Sequence, residues 1–452
     1  MRGFARSLRL TLAAAALVGL MAAADGASSS RAAAGAAPAP AAGEAVEPAG
    51  KAPDPIGRTL KVPLDHRHPE RGNGSIYYEL GAPFDPHKPT VLVIADGQQF
   101  YVRRGSVAGL QERLFGDGFN VACIVGRGFS DDIVSAAVPD PGRIDWAAAY
   151  TLFNAGQWVG DIDAVRRDLL GDDGEALLYG ASGGAFLLHQ YLAAHGRFIR
   201  RAFSQCAVMR SIEADLGINH DRFWEEIGRQ GGDLQRRLLG ALKSRPEQRP
   251  EIIRILQRQN FFVEPGGLAA ARAAAIDAIA RDDAPVLQRY REEYQVDAIA
   301  ELLEPPRGVP VRVRIYESVQ PIVGRLSLFP EAIYPNIENE ALVAAPLLRA
   351  HEAGGIPAPG FGLAPLRDID TEMFILAGRR DHTVDYRSQI ALAHAYRNAT
   401  LFIADDDHMF ARLGEAGLHE SLARTFLRYG PRSREMRRLL EDAAPLRWIE
   451  KD

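Results

Sequence analysis

Ala176-Leu177-Leu178-Tyr179-Gly180-Ala181-Ser182-Gly183-Gly184-Ala185-Phe186-Leu187-Leu188-His189-Gln190-Tyr191-Leu192 is the stretch that decides the fold. Its first four residues form a short apolar run and its last eight have helical character. Between them lies Gly180-Ala181-Ser182-Gly183-Gly184, so the order is strand, sharp turn, helix. Glycines flanking the serine allow a turn that no Cβ would tolerate, and the turn lifts the serine hydroxyl above the end of a sheet. In a chain with 43 glycines such a pentapeptide also arises by chance. The flanking strand and helix patterns therefore carry the reading.

Working outward, Thr90-Val91-Leu92-Val93-Ile94-Ala95 is another continuous apolar run. Further runs surround Cys123, Cys206, Phe374 and Phe402. Helical stretches such as 107–115 and 158–170 separate them, which indicates strands buried on both faces and predicts an α/β protein with a mostly parallel sheet. Residues 59–64 and 75–80 read as an opening antiparallel hairpin. From about Met209 to Pro365 the pattern becomes charged and helix-rich, for example over 222–242 and 268–281, before alternation resumes at Glu372. These boundaries divide the chain into a sheet domain over 55–208 and 366–452 and an inserted helical cap over 209–365.

A serine hydroxyl needs an imidazole to take its proton and a carboxylate to hold that imidazole in the right tautomer. In a strand-turn-helix architecture of this kind the partners follow the serine in the order acid, then histidine. Asp381 stands in the loop beyond the run 374–378, and His408 stands beyond the run 401–404. Of the 11 histidines, His408 alone sits at a predicted strand end after Asp381. Ser182, His408 and Asp381 are the expected catalytic residues, with Asp385 as reserve acid. The backbone amide of Gly183 is one expected oxyanion donor, and Gly97 or Gln98, after the strand ending at Ala95, is the other.

The 452 residues carry a net charge of −5, which gives no broad electropositive field and argues against nucleic acid as a partner. Arg2, Arg6 and Arg9 precede an apolar stretch ending at Ala22-Ala23-Ala24, the pattern of a secretory signal peptide over 1–24. The stretch is shorter than the ~20 apolar residues needed to cross a bilayer, so cleavage is expected rather than anchoring. Residues 25–54, nearly all Ala, Pro, Gly and Ser, read as a flexible tether. An exported, periplasmic or secreted protein without stable membrane insertion follows. Cys123 and Cys206, the only two cysteines, both fall in buried-strand patterns on strands expected not to be neighbours, so two free thiols are expected.

Together these residues resemble the α/β-hydrolase fold, and within it the prolyl aminopeptidases (proline iminopeptidases), especially their longer-chain branch, with the tripeptidyl aminopeptidases as relatives. The likeness runs from about Val62 to Leu413. Val62-Pro63-Leu64-Asp65-His66 is similar to the family's opening strand, Gly126-Arg127-Gly128-Phe129-Ser130 to its arginine-glycine turn, and 153–166 to the segment leading to the serine turn. Ser182, Asp381 and His408 fall where the family has its triad. The resemblance implies that two cap glutamates, matched here by Glu317 and Glu331, bind the substrate's free α-amino group. Two features depart from the family: Asp96-Gly97-Gln98-Gln99 replaces a glycine-rich loop ending in Pro-Gly, and Gly183 follows the serine where a bulky residue is common.

The expected function is an exported serine hydrolase that releases an N-terminal residue, proline in the family, from short peptides. It would act through an acyl-enzyme, with no cofactor and no metal. The alternative keeps the triad and takes a small ester, lactone or amide without a free amine. A binding module that retains a hydrolase fold is the third reading. The cap is expected to gate entry and exclude folded proteins.

Overall fold

The computed structural model describes residues 56–95, 105–218, 221–324 and 331–449. The expected signal peptide and tether, and the oxyanion candidates Gly97 and Gln98, lie outside the described residues. Eight strands form one sheet in the order β1-β2-β4-β3-β5-β6-β7-β8. They are β1 (Ile56–Pro63), β2 (Asn73–Leu80), β3 (Thr90–Ile94), β4 (Asn120–Val125), β5 (Ala176–Ala181), β6 (Ile199–Gln205), β7 (Glu372–Gly378) and β8 (Ala399–Ala404). β1 and β2 make the expected hairpin, and β2 joins β4 antiparallel. All later pairs are parallel, giving a doubly wound, mostly parallel sheet.

The apolar runs divide by alternation between two cores. Leu92, Ile94, Ala122, Ile124 and Leu178 point to one face, while Val91, Val93, Val121, Cys123, Leu177 and Tyr179 point to the other. Helices α1 (Ala155–Leu170) and α2 (Gly183–His195) cover the first face with Trp158, Ile162, Leu188 and Leu192. Burial on both sides is why these strands read as unbroken apolar runs.

Between β6 and β7 the described residues form helices and no strand. This segment includes α3 (Arg249–Phe262), α4 (Leu268–Arg281), α5 (Gly308–Val323) and α6 (Pro335–Glu352). Ile252, Leu256, Ile276 and Ile279 build a separate core within it, whereas Val313, Tyr316 and Leu347 of α5 and α6 pack into the first sheet core. The segment is therefore part independent unit and part extension of the sheet domain. After β7 come α7 (Tyr386–His394) and, following β8, α8 (His419–Tyr429), whose Leu422 and Phe426 close the second face.

A buried ion pair ties the hairpin to α1. Arg127, with no exposed surface, donates to both Asp161 oxygens at 2.7 and 2.8 Å and to the carbonyls of Pro63, Leu64 and Leu152. Cys123 and Cys206 are free and buried. Cys206 stands one residue beyond β6, in a positive-φ turn at 43°, rather than within the strand as its apolar surroundings suggest.

Candidate active site

Ser182 occupies the turn between β5 and α2 with φ 54° and ψ −122°, a conformation that L-residues rarely adopt. The turn is held because Ser182 N–H donates to the Gln205 carbonyl at 2.8 Å, continuing the β5–β6 pairing. Gly180 is required by proximity: a Cβ there would lie 2.8 Å from the Gly184 carbonyl oxygen. Strand and helix cross this closely only if the residue at 180 has no side chain. Gly183 is the first residue of α2, so its amide belongs to the helical turn whose N–H groups have no partner within the helix.

Asp381 and His408 follow β7 and β8 and reach the same end of the sheet, since all three strands run parallel. Asp381 Oδ1 accepts from the amides of Thr383 and Val384 at 2.7 and 2.9 Å, and Oδ2 accepts from His408 Nδ1 at 2.7 Å. Two backbone donors thus fix the carboxylate, and the carboxylate fixes the ring with Nε2 left as the basic nitrogen. Burial works to raise the Asp381 carboxyl, but the His408 charge and the hydrogen bonds hold it below the usual carboxylate range. For His408, burial works downward and the Asp381 charge and hydrogen bond outweigh it, leaving the ring above its ordinary value. Among the described residues no hydrogen bond joins the Ser182 hydroxyl to His408. In ligand-free sites such bonds are often long and tighten only around substrate.

The reserve acid Asp385 has another task. It caps α7 through the Arg387 amide and pairs with the Arg387 guanidinium at 2.9 Å. His189 is a core residue bonded to Tyr396 and Ser204, with burial pushing it down to about 3. The sulfur of Cys206 comes within 4.8 Å of ligand atoms on Asp381 and His408, a spacing that a thiophilic ion would accept. The Asp381–His408 hydrogen bond already commits two of those three groups.

The cavity at Ser182 measures about 30 Å³, and its wall includes Val208, Leu302, Val311 and Val343 together with Gln257 and Asn339. Most of that wall comes from the inserted helices, and Phe261 stands edge-on to His408 at 5.9 Å. The polar members form a directed chain: Arg210 holds Glu340, Glu340 accepts from Asn336 Nδ2, and Asn336 Oδ1 accepts from Gln257 Nε2. Because Glu340 can only accept, the chain leaves Gln257 Oε1 without a donor; Asn339 Oδ1 also lacks one.

The two glutamates implied by the family resemblance lie away from the Ser182 cavity. Glu317 is buried on α5, where both its oxygens accept from Ala155 N–H at 3.0 Å and Arg314, one turn earlier, pairs with it. It lines a different cavity of about 240 Å³ with Tyr150, Asn154 and Phe186. Glu331 is 75% exposed and pairs with Lys243 at 3.2 Å. Neither lines the Ser182 cavity. The amides that do, Gln257, Asn336 and Asn339, were missed; the sequence signal was a set of amide side chains on otherwise apolar helix faces.

No protein-family model and no curated protein matches the chain. Solved structures do. One is an alpha/beta hydrolase enzyme from a Medee basin deep-sea metagenome library, 14% identical over 78% of this chain and 94% of its own, with a TM-score of 0.40. An esterase from Rhodococcus sp. is 17% identical over 79% of this chain and 95% of its own, with a TM-score of 0.38. An esterase from Exiguobacterium antarcticum is 15% identical over 78% and 96%, with a TM-score of 0.40. The strand order, the serine on a strained turn after β5, the acid after β7 and the histidine after β8 are those of the α/β-hydrolase fold. The chain has that fold. It carries in addition a helical insertion between β6 and β7 that covers the serine.

Proposed function

We propose that the protein is a serine hydrolase that cleaves a small ester or amide through an acyl-enzyme on Ser182. The observation that carries this reading is the buried Asp381–His408 pair, 2.7 Å apart, beyond the ends of β7 and β8 on the same edge of the sheet as the Ser182 turn. His408 Nε2 takes the hydroxyl proton as Ser182 attacks the carbonyl, then returns it to the leaving group. Asp381 keeps the ring in the required tautomer and stabilises the imidazolium. Gly183 N–H faces the developing oxyanion, and the loop containing Gly97 and Gln98 supplies the second donor.

An acyl group without a free amine fits the cavity better than an aminoacyl group. Its wall is mostly apolar with neutral amides, and its one carboxylate, Glu340, shares Arg210 with the buried Glu213. An ammonium would lose hydration and meet a carboxylate whose oxygens already accept from Arg210 and Asn336. Aminopeptidase action remains the competing reading, supported by the family motifs. The N-terminal pattern supports export, with cleavage after Ala24.

The test is hydrolysis of short-chain nitrophenyl esters beside prolyl and alanyl amides, with Ser182→Ala as control. Ester turnover that falls about a million-fold in the variant is expected. Ester turnover unchanged in the variant would exclude Ser182. Efficient cleavage of aminoacyl amides that is lost on N-acetylation would return the protein to the aminopeptidases.

A further inference from the structure

A cavity of about 420 Å³ lies away from Ser182. It lies on the seam between the inserted helices and the sheet domain. The insertion contributes Arg222, Glu226, Arg229, Leu268, Ala269 and Arg272; the loop that carries Asp381 contributes Arg379, Arg380 and His382. Five arginines thus face one another across the seam with Glu226 as the single acid in the wall.

Their other partners do not balance them. Asp405 is shared by Arg379, Arg380 and Arg412, and Asp385 by Arg222 and Arg387. Arg229 is exposed, and the bond described for it goes to a backbone carbonyl, that of Glu225. Arg272 is the decisive member. Its residue is 1% exposed, it pairs with Glu226, bonds to Asn260 and His382 and feels the charge of Asp221, and its Nε has no acceptor. A buried guanidinium with an unmet donor is costly unless something occupies the site, because the desolvation of that group is not repaid within the protein.

The backbone adds to the same field. Leu268 and Ala269 open α4, a helix of 14 residues whose N-cap, Gly267, has no side chain to cap it. Arg272, one turn on from Leu268, stands on the same face, so unpartnered first-turn amides and the buried guanidinium are directed to one side of the helix. Helix N-termini and forked guanidiniums are the two groups that best match a tetrahedral oxyanion.

We propose that this seam is a binding site for a phosphate-type dianion, held between the first turn of α4 with Arg229 and Arg272 on one side and Arg379 and Arg380 on the other. Occupied, it joins the inserted helices to the loop that carries the triad acid. The site is independent of what Ser182 hydrolyses, and its test needs no turnover.

The experiment is thermal unfolding of the mature chain titrated with inorganic phosphate, with sodium chloride at matched ionic strength as control. A saturable rise in Tm with phosphate and not with chloride is expected. Ala269→Glu places a carboxylate at an exposed first-turn position, where it favours the helix and repels the anion. It should fold normally and weaken phosphate at least tenfold, and Arg229→Glu should do the same. A shift that never saturates, that chloride reproduces, or that survives both substitutions overturns the proposal. So does a shift abolished by covalent phosphonylation of Ser182, since phosphate would then sit at the catalytic serine. Glycerol phosphate in a parallel titration separates the sources: tighter binding than phosphate assigns the site to a phosphorylated molecule, and weaker binding assigns it to the free ion.

Discussion

At the scale of single residues, Asp381 does two separable things for His408. Its charge raises the ring, and its fixed oxygen selects the tautomer. A general base works only when neutral, so activity should rise with pH through a His408 titration that lies above the ordinary histidine value of about 6.5. Asp381→Asn removes the raising influence and leaves burial, which lowers the ring. The acid limb of kcat/KM should therefore move to lower pH while kcat falls about ten-thousand-fold. An acid limb that stays in place in a pH–rate profile of the variant would mean that His408 is not the base. Triad candidates were legible because their constraint is one-dimensional: serine, acid and histidine must follow in order, each at a strand end. The surroundings of the glutamates were not. What a buried carboxylate binds is decided by its neighbours in space, and Ala155, which claims Glu317, is 162 residues away along the chain. Arg314, three residues before Glu317, was the one partner helical spacing could have revealed.

Among elements, the Arg127–Asp161 pair joins the turn after β4 to α1 and the loop after β1. Removing one partner of such a pair leaves a buried charge, so Arg127→Met should destabilise by about 3–5 kcal/mol, read as a lower denaturant midpoint. A midpoint within error of the parent would mean that water reaches Asp161. The strands were legible because burial on both faces writes an apolar run, and β3, β7 and β8 fall where the runs are. The helix over 268–281 was legible as well and coincides with α4. The stretch 222–242 reads as helix-rich, and it breaks at Gly231, with φ 137°, into Phe223–Arg229 and Gly232–Ser244. Charged amphipathic sequence continues across that break, so helical periodicity alone does not register the reversal.

For the molecule as a whole, the inserted helices line most of the Ser182 cavity of about 30 Å³, and the gating expected of them has a direct test. Folded proteins should remain intact in its presence while small acyl substrates turn over; digestion of a folded protein, followed by mass spectrometry, would refute the gating. Export is tested separately by sequencing the mature N-terminus, expected at Asp25. The two thiols bear on the same question. Cys123 lies within β4 and Cys206 beyond β6, both unpaired and enclosed, so no covalent crosslink contributes to the stability of the fold. The denaturant midpoint should accordingly be the same with and without reductant. The leader would then be an address and not a folding requirement: a chain beginning at Asp25 and made in a reducing cytoplasm should reach the same native state as one that crossed a membrane to an oxidising compartment.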